Sequence, residues 1–246
     1  MTLVLFDIDG TLIRGAPPVH RQALCDAAHV VFGVSLRPEE FGQTAGMTDS
    51  AIVRRELRAV GVSNNEITAG LARVCEAAGE AYERLMTADL SAYHTPHASA
   101  ALEWLLEQGA TLGLVTGNIE RIAWRKLSAA RLASYFVQPQ PLPMAHWDIA
   151  PWIGGFGDQG EDRNTLPPLA LQRASVLVGA HPLPSETWVI GDTPADIACG
   201  VAHGLRVIGV ATGIHHSFDD LSVHEPHATL RDLGELPSLA EAFFAR

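Results

Sequence analysis

Short β-rich runs alternate with longer helical patterns along this chain, and that alternation limits its fold more than any other feature. Leu3 to Phe6, Thr111 to Val115, Thr187 to Ile190 and Arg206 to Val210 read as strands. Helical segments between successive strands imply crossover connections, hence an α/β fold with a parallel sheet. Ile153 to Phe156, set among three glycines, is a fifth strand candidate. From Ala16 to Ala92 the rhythm breaks, because helical pattern runs throughout with no strand candidate. The expected organisation is a sheet-containing core of residues 1–15 and 93–246 interrupted by a helical module of residues 16–92. In that module Pro17-Pro18 leads into one helix, Asp49 can cap a second, and Ser63 can cap a third that runs to about Met86. The Gly-rich FGQTAGMTDS lies between the first two. Gln138 to Gly155 is Pro-rich, contains Trp147 and Trp152, and has no clear period, so it reads as a surface excursion.

A chain of 246 residues that is 47% hydrophobic can bury a sizeable core. Its net charge of -11 and its scattered arginines argue against nucleic acid or an anionic membrane surface as the main partner. A small molecule is the expected partner, and nothing in the sequence indicates an oligomeric state. Cys25, Cys75 and Cys199 are odd in number and far apart, which points to reduced thiols rather than a disulfide framework or a zinc site. The apolar run Leu3 to Phe6 is too short for a signal peptide or a membrane span, so a cytoplasmic protein is expected.

The first strand ends in DIDGT. Side chains alternate along a strand, so Asp7 and Asp9 point the same way, at the carboxyl end where open parallel sheets bind ligands. Two carboxylates in one small space repel each other unless a cation neutralises them. Asp192, in VIGDTPAD, follows another strand and converges on the same edge. Three such acids with water suit Mg²⁺, a hard cation that takes oxygen ligands. A second strand ends in Thr116-Gly117-Asn118 just before a helical pattern. A helix N-terminus with a flexible glycine and a small hydroxyl can hold phosphate oxygens, although Thr116 and Asn118 could equally serve as caps. In GDTPAD, Thr193 can be an N-cap, Pro194 the first helical residue and Asp196 the third, so Asp196 has a structural reading beside a role near the metal's waters.

DIDGT, the strand-terminal TGN and GDTPAD, in this order, resemble the motifs of the haloacid dehalogenase superfamily of Rossmann-like hydrolases. The resemblance covers the whole chain, since the helical module looks like that superfamily's type 1 cap. It implies Asp7 as a nucleophile forming an aspartyl-phosphate, and Asp9 as general acid and base. Asp7, the main-chain carbonyl of Asp9 and Asp192 would hold Mg²⁺. Thr116 and a basic residue before the last motif would bind the phosphoryl group of a small phosphorylated metabolite, with Gly117 and Asn118 alongside. The family usually has a lysine there, whereas the only lysine in this chain, Lys126, lies in the helical pattern after TGN. Arg163 is the expected replacement, since arginine can bind phosphate bidentately. Specificity is expected in the insert, especially Gln43 to Ser50, where Thr48 is a candidate substrate-binding residue. The leading expectation is a Mg²⁺-dependent phosphatase resembling phosphoglycolate phosphatases. A phosphomutase and a non-catalytic binder of phosphorylated ligands are the alternatives. The second acid, Asp9, argues against a dehalogenase, and the lack of lysine in the insert argues against a phosphonoacetaldehyde hydrolase.

Overall fold

The computed structural model describes residues 1–137, 152–179 and 181–244. Its core is a six-stranded sheet with every pairing parallel, in the order β3-β2-β1-β4-β5-β6. The strands are β1 (Leu3–Phe6), β2 (Thr111–Thr116), β3 (Gly154–Phe156), β4 (Thr187–Gly191), β5 (Arg206–Val210) and β6 (Ala228–Leu230). Five of them coincide with the runs expected from sequence. The sixth, Ala228–Leu230, is an edge strand of three residues that the sequence reading passed over.

β1 is buried at all four positions because it is covered on both sides. Val4 and Phe6 join one apolar cluster, while Leu3 and Leu5 join the other. Each such side chain stabilises the fold by roughly 1.5–3 kcal/mol relative to exposure. One face is covered by α4 (Ala98–Glu107) and α5 (Glu120–Ala129), through Leu102, Leu105, Ile122 and Leu127. The other is covered by α6 (Leu166–Val178) and α7 (Pro194–Val201), through Ala170, Ala174 and Ile197.

Register decides where the chemistry can sit. Phe6 lies opposite Leu114 on one side and Ile190 on the other. The carboxyl ends of β1, β2 and β4 therefore finish level with one another. The chain crosses from β1 to β2 on one side, and β4 lies on the other, which makes this edge a topological switch point.

Between β1 and α4 the chain forms α1 (Val19–Phe32), α2 (Asp49–Ala59) and α3 (Asn64–Leu85). It leaves the core beside its point of return, where the Arg14 N–H bonds the Tyr93 carbonyl at 2.8 Å. α1 and α3 pack closely because Gly70 leaves room for the Phe32 ring, which a Cβ there would meet at 2.5 Å. α3 begins with the expected cap: Ser63 and Glu66 satisfy each other's main-chain N–H groups. For α2 the expected cap, Asp49, is corrected by one residue. Thr48 accepts the Ala51 N–H at 3.2 Å, and Asp49 is the first helical residue.

Trp147 and most of the Pro-rich excursion lie outside the described residues. Trp152 stacks on Trp124 at 4.1 Å and donates to Glu120 at 2.8 Å, so it packs on the core. Cys25, Cys75 and Cys199 are free and buried. Among the described residues no helix is long and apolar enough to cross a membrane.

Candidate active site

A cavity of about 370 Å³ opens over the carboxyl ends of β1, β2 and β4, between the sheet and the helical insert. Asp7, directly after β1, is anchored by its own N–H, which bonds the Ile190 carbonyl at 2.9 Å. Its side chain is nearly inaccessible, and Oδ1 lies 3.1 Å from Nη2 of Arg163. Arg163 sits in the short turn before α6 and also reaches Oδ1 of Asp196 at 2.5 Å and the Val115 carbonyl at 3.3 Å. One buried guanidinium thus faces two buried carboxylates.

Asp196 has both structural attachments that its position in GDTPAD allows. Its Oδ2 accepts the Thr193 N–H at 3.0 Å and the Thr193 hydroxyl at 2.7 Å, completing a capping box at the start of α7. Asp192, after β4, accepts a hydrogen bond from Thr11 at 3.2 Å. Gly10 is in the left-handed region at φ +88°, and a Cβ on it would fall 2.1 Å from the Asp192 carboxylate. The backbone can pass so close to an acid only at glycine.

Asp7, Asp192 and Asp196 can bring carboxylate oxygens within 4.8 Å of one another. The Asp9 side chain is not in this group, contrary to the expectation that Asp7, Asp9 and Asp192 share one space. The ladder ends at Phe6, and the Asp9 side chain turns towards α5. There Lys126 Nζ donates to its Oδ2 at 2.6 Å and Asn118 Nδ2 at 2.9 Å. Lys126 also donates to Asn118 Oδ1 at 2.7 Å.

These placements split the acids electrostatically. Burial pushes the Asp7 carboxyl up to about 7, with Asp196 and Asp9 adding to the rise and Arg163 opposing it. Burial, then Asp7 and Asp196, push Asp192 up to about 8. Asp9 goes the other way. Desolvation in the cleft raises it, but Lys126, His20 and the Asn118 hydrogen bond together hold it below the usual carboxylate range.

Thr116 is fully buried, and its hydroxyl accepts from Asn118 Nδ2 at 2.7 Å. Gly117, Asn118 and Arg163 line the cavity. Thr48, the candidate substrate-binding residue, is not among the residues lining the cavity; its hydroxyl donates to the Glu161 carbonyl at 3.1 Å and accepts the Ala51 N–H at the start of α2.

The sequence reading left Lys126 on its helix, outside the site. The helix carries it in: Ile122, Ala123, Lys126 and Leu127 form one buried stripe, and helical side chains lean towards the N-terminus. A lone lysine in an apolar stripe was the available signal, because a buried ammonium needs a partner. Two residues of the insert were also missed. Asp49 is buried, and its Oδ2 accepts the Ile119 N–H at 2.8 Å and contacts His20 Nε2 at 2.9 Å. His20 Nδ1 faces Lys126 Nζ at 3.1 Å.

Comparison with known proteins gives a consistent family assignment. The haloacid dehalogenase-like hydrolase family model matches residues 4–200, and a second model of HAD-like hydrolases matches residues 166–236. A phosphoglycolate phosphatase of Pseudomonas fluorescens is 28% identical over 220 residues, covering 87% of this chain and 71% of its own. Phosphoglycolate phosphatase 1 of Pseudomonas aeruginosa is 29% identical over 227 residues, with the same coverage of 87% and 71%. Among solved structures, a β-phosphoglucomutase from Clostridium difficile superposes with a TM-score of 0.65 at 16% identity, covering 99% of this chain and 97% of the other. A hydrolase from Pseudomonas syringae gives 0.59 at 20% identity, covering 98% and 99%.

Proposed function

The chain belongs to the haloacid dehalogenase-like hydrolases, and from that premise we propose that it hydrolyses a small phosphomonoester, 2-phosphoglycolate being the first candidate, with Asp7 as nucleophile. The observation that carries this reading is the pairing of Asp7 with Arg163 at the floor of the cavity, 3.1 Å apart. A carboxylate needs no base to attack phosphorus. The positive charge that favours its ionised form against burial stands where the phosphoryl oxygens would arrive.

In this reading Asp7 forms an acyl phosphate that water then hydrolyses, one hard displacement becoming two easier ones. Asp9 gives a proton to the leaving oxygen and takes one from the water. Its contact with Lys126 favours the ionised form, which suits the second task. For the first, the negative phosphoryl group raises the proton affinity of Asp9 as the substrate settles.

The donor set suits Mg²⁺. Asp7 and Asp192 are hard oxygen donors whose proton affinities, raised to about 7 and about 8 by burial first and by neighbouring carboxylates second, mark anionic charge that a cation would relieve. Asp7, Asp192 and the Asp9 main-chain carbonyl are the proposed ligands. The ion would supply neutralisation of charge on the transferred group. Asp196, held by Thr193 and Arg163, keeps the guanidinium in place. We further propose that the 16–92 insert acts as the cap that closes the cavity, and that the enzyme works in the cytoplasm.

Asp7→Asn should lower phosphate release from 2-phosphoglycolate by about 10³-fold or more while leaving the melting temperature near that of the wild type. An Asn variant within tenfold of wild type would remove Asp7 from the reaction. Conversion of a sugar phosphate to its isomer without phosphate release would make the protein a mutase instead.

A further inference from the structure

Of the residues lining the cavity, two carry a buried polar atom with no hydrogen-bond partner among the described residues: Arg163 Nε and the Tyr82 hydroxyl. They stand at different ends. Arg163 belongs to the floor, beside Asp7. Tyr82, 0% exposed, comes from α3 of the insert, and its ring meets the His20 ring edge-on with centroids 5.8 Å apart.

The other polar groups around Tyr82 are already engaged within the protein. Lys126 gives its three protons to Asp9, Asn118 and His20 at 2.6, 2.7 and 3.1 Å. Because an ammonium cannot accept, His20 Nδ1 holds a lone pair there, and its Nε2–H donates to Asp49 at 2.9 Å. Asp49 accepts the Ile119 N–H as well, at 2.8 Å. Within that set the Tyr82 phenol is left over. Burial and the charges of Asp9 and Asp49 push its pKa up, with Arg125 opposing, so it stays protonated and can donate. A buried hydroxyl without a partner costs stability, which makes its presence at a cavity wall a sign of a bound oxygen.

We propose that Tyr82 is the insert's substrate-binding residue, its hydroxyl donating to a second oxygen function on the leaving alcohol of a small phosphomonoester. The proposal rests on the phosphatase reading and adds a recognition rule to it. Tyr82 packs on His20, His20 meets Lys126, and Lys126 meets Asp9, the group assigned to the ester oxygen. The hydroxyl and Asp9 thus belong to the lining of one cavity and are linked through His20 and Lys126. Leu24 and Ile52, buried residues of α1 and α2, give the same cavity an apolar wall. The carboxylate of 2-phosphoglycolate offers such an oxygen; ethyl phosphate offers none.

The test separates binding from turnover. Binding to the full chain in Mg²⁺ is measured by calorimetry for 3-phosphonopropionate and propylphosphonate, which cannot be hydrolysed and differ only in the carboxylate. Wild type should prefer the carboxylate analogue, and Tyr82→Phe should lose about tenfold of that preference with its affinity for propylphosphonate unchanged. Unliganded Tyr82→Phe should melt at the same temperature as wild type or higher, because an unpartnered hydroxyl is removed. Equal preference in both proteins, no preference in wild type, or a lower melting temperature in the variant would each overturn the assignment. Phosphate release from 2-phosphoglycolate and ethyl phosphate is followed in parallel. If neither ester is turned over while the binding pattern holds, the phosphatase reading falls and the Tyr82 contact stands.

Discussion

Arg163 carries the charge balance of the site, since it is the cation that both Asp7 and Asp196 contact. Removing it leaves two buried carboxylates facing each other, which is far more costly than the net worth of the pair. Arg163→Ala should therefore lower the melting temperature and also cost about 2–4 kcal/mol of transition-state stabilisation, the scale of losing one preorganised donor. Arg163→Lys should recover part of both, because it restores the charge but not the planar guanidinium whose Nη2 meets both carboxylates and the Val115 carbonyl. The measurement is kcat/KM on 2-phosphoglycolate together with thermal melts. An alanine variant within threefold of wild type in kcat/KM would sink the assignment. Position explains which residues could be read in advance. Asp7 and Asp192 were legible as neighbours because each directly follows a strand, whereas Asp9, three residues past the end of β1, turns towards α5; Arg163 was legible because it precedes a helix between two recognisable motifs. Lys126, Asp49 and Tyr82 were not, since each has an ordinary local role on a helix. Their chemistry comes from what the neighbouring element presents, and a one-dimensional pattern does not contain that.

At the scale of elements, the loops after β2 and β3 are joined backbone to backbone with the first turn of α2. The Asp49 N–H bonds the Gly117 carbonyl at 2.7 Å, and the Ser50 N–H bonds the Gly157 carbonyl at 3.3 Å. The fit depends on the missing side chain of Gly117, because a Cβ there would come 2.2 Å from the Met47 carbonyl oxygen. Backbone cannot swing aside as a side chain can. Gly117→Ala should thus push the insert off the TGN loop and displace Asp49 from the Ile119 N–H and from His20. Misplacement of about 1 Å can cost roughly 10²-fold in rate, so kcat/KM should drop on that scale, with the far-ultraviolet circular dichroism unchanged. A variant with wild-type kinetics would show that this docking does not matter to the site. The elements themselves were legible to differing degrees for a related reason. β1, β2, β4 and β5 are continuous apolar runs because both faces of the sheet are covered. β6 is a three-residue edge strand, Ala228–Leu230, whose partner on one side only, β5, supplies the pairing that its own sequence does not announce.

For the whole molecule, the fold concentrates acid where three strand ends meet, in a chain that already carries a net charge of -11. In the unfolded chain Asp7 and Asp192 would ionise at the ordinary 3.8, whereas burial and mutual repulsion move them to about 7 and about 8 in the folded state. Between those limits the folded protein binds more protons than the unfolded one, so their contribution to stability is intact below 3.8 and is lost as pH rises through about 7 and 8. A bound divalent cation reverses that loss, because it stabilises the ionised pair that only the folded state brings together. The metal-free protein in EDTA should accordingly lose melting temperature between pH 5 and pH 8 through these two groups. Mg²⁺ should then raise the melting temperature by at least about 3 °C more at pH 8 than at pH 5, since protons compete with the ion at the lower pH. Asp192→Asn should abolish the Mg²⁺-dependent difference while raising the stability of the metal-free form at pH 8, because one of the two repelling charges is gone. A Mg²⁺ effect of the same size at both pH values, or one that survives in Asp192→Asn, would place the ion somewhere other than between these strand ends.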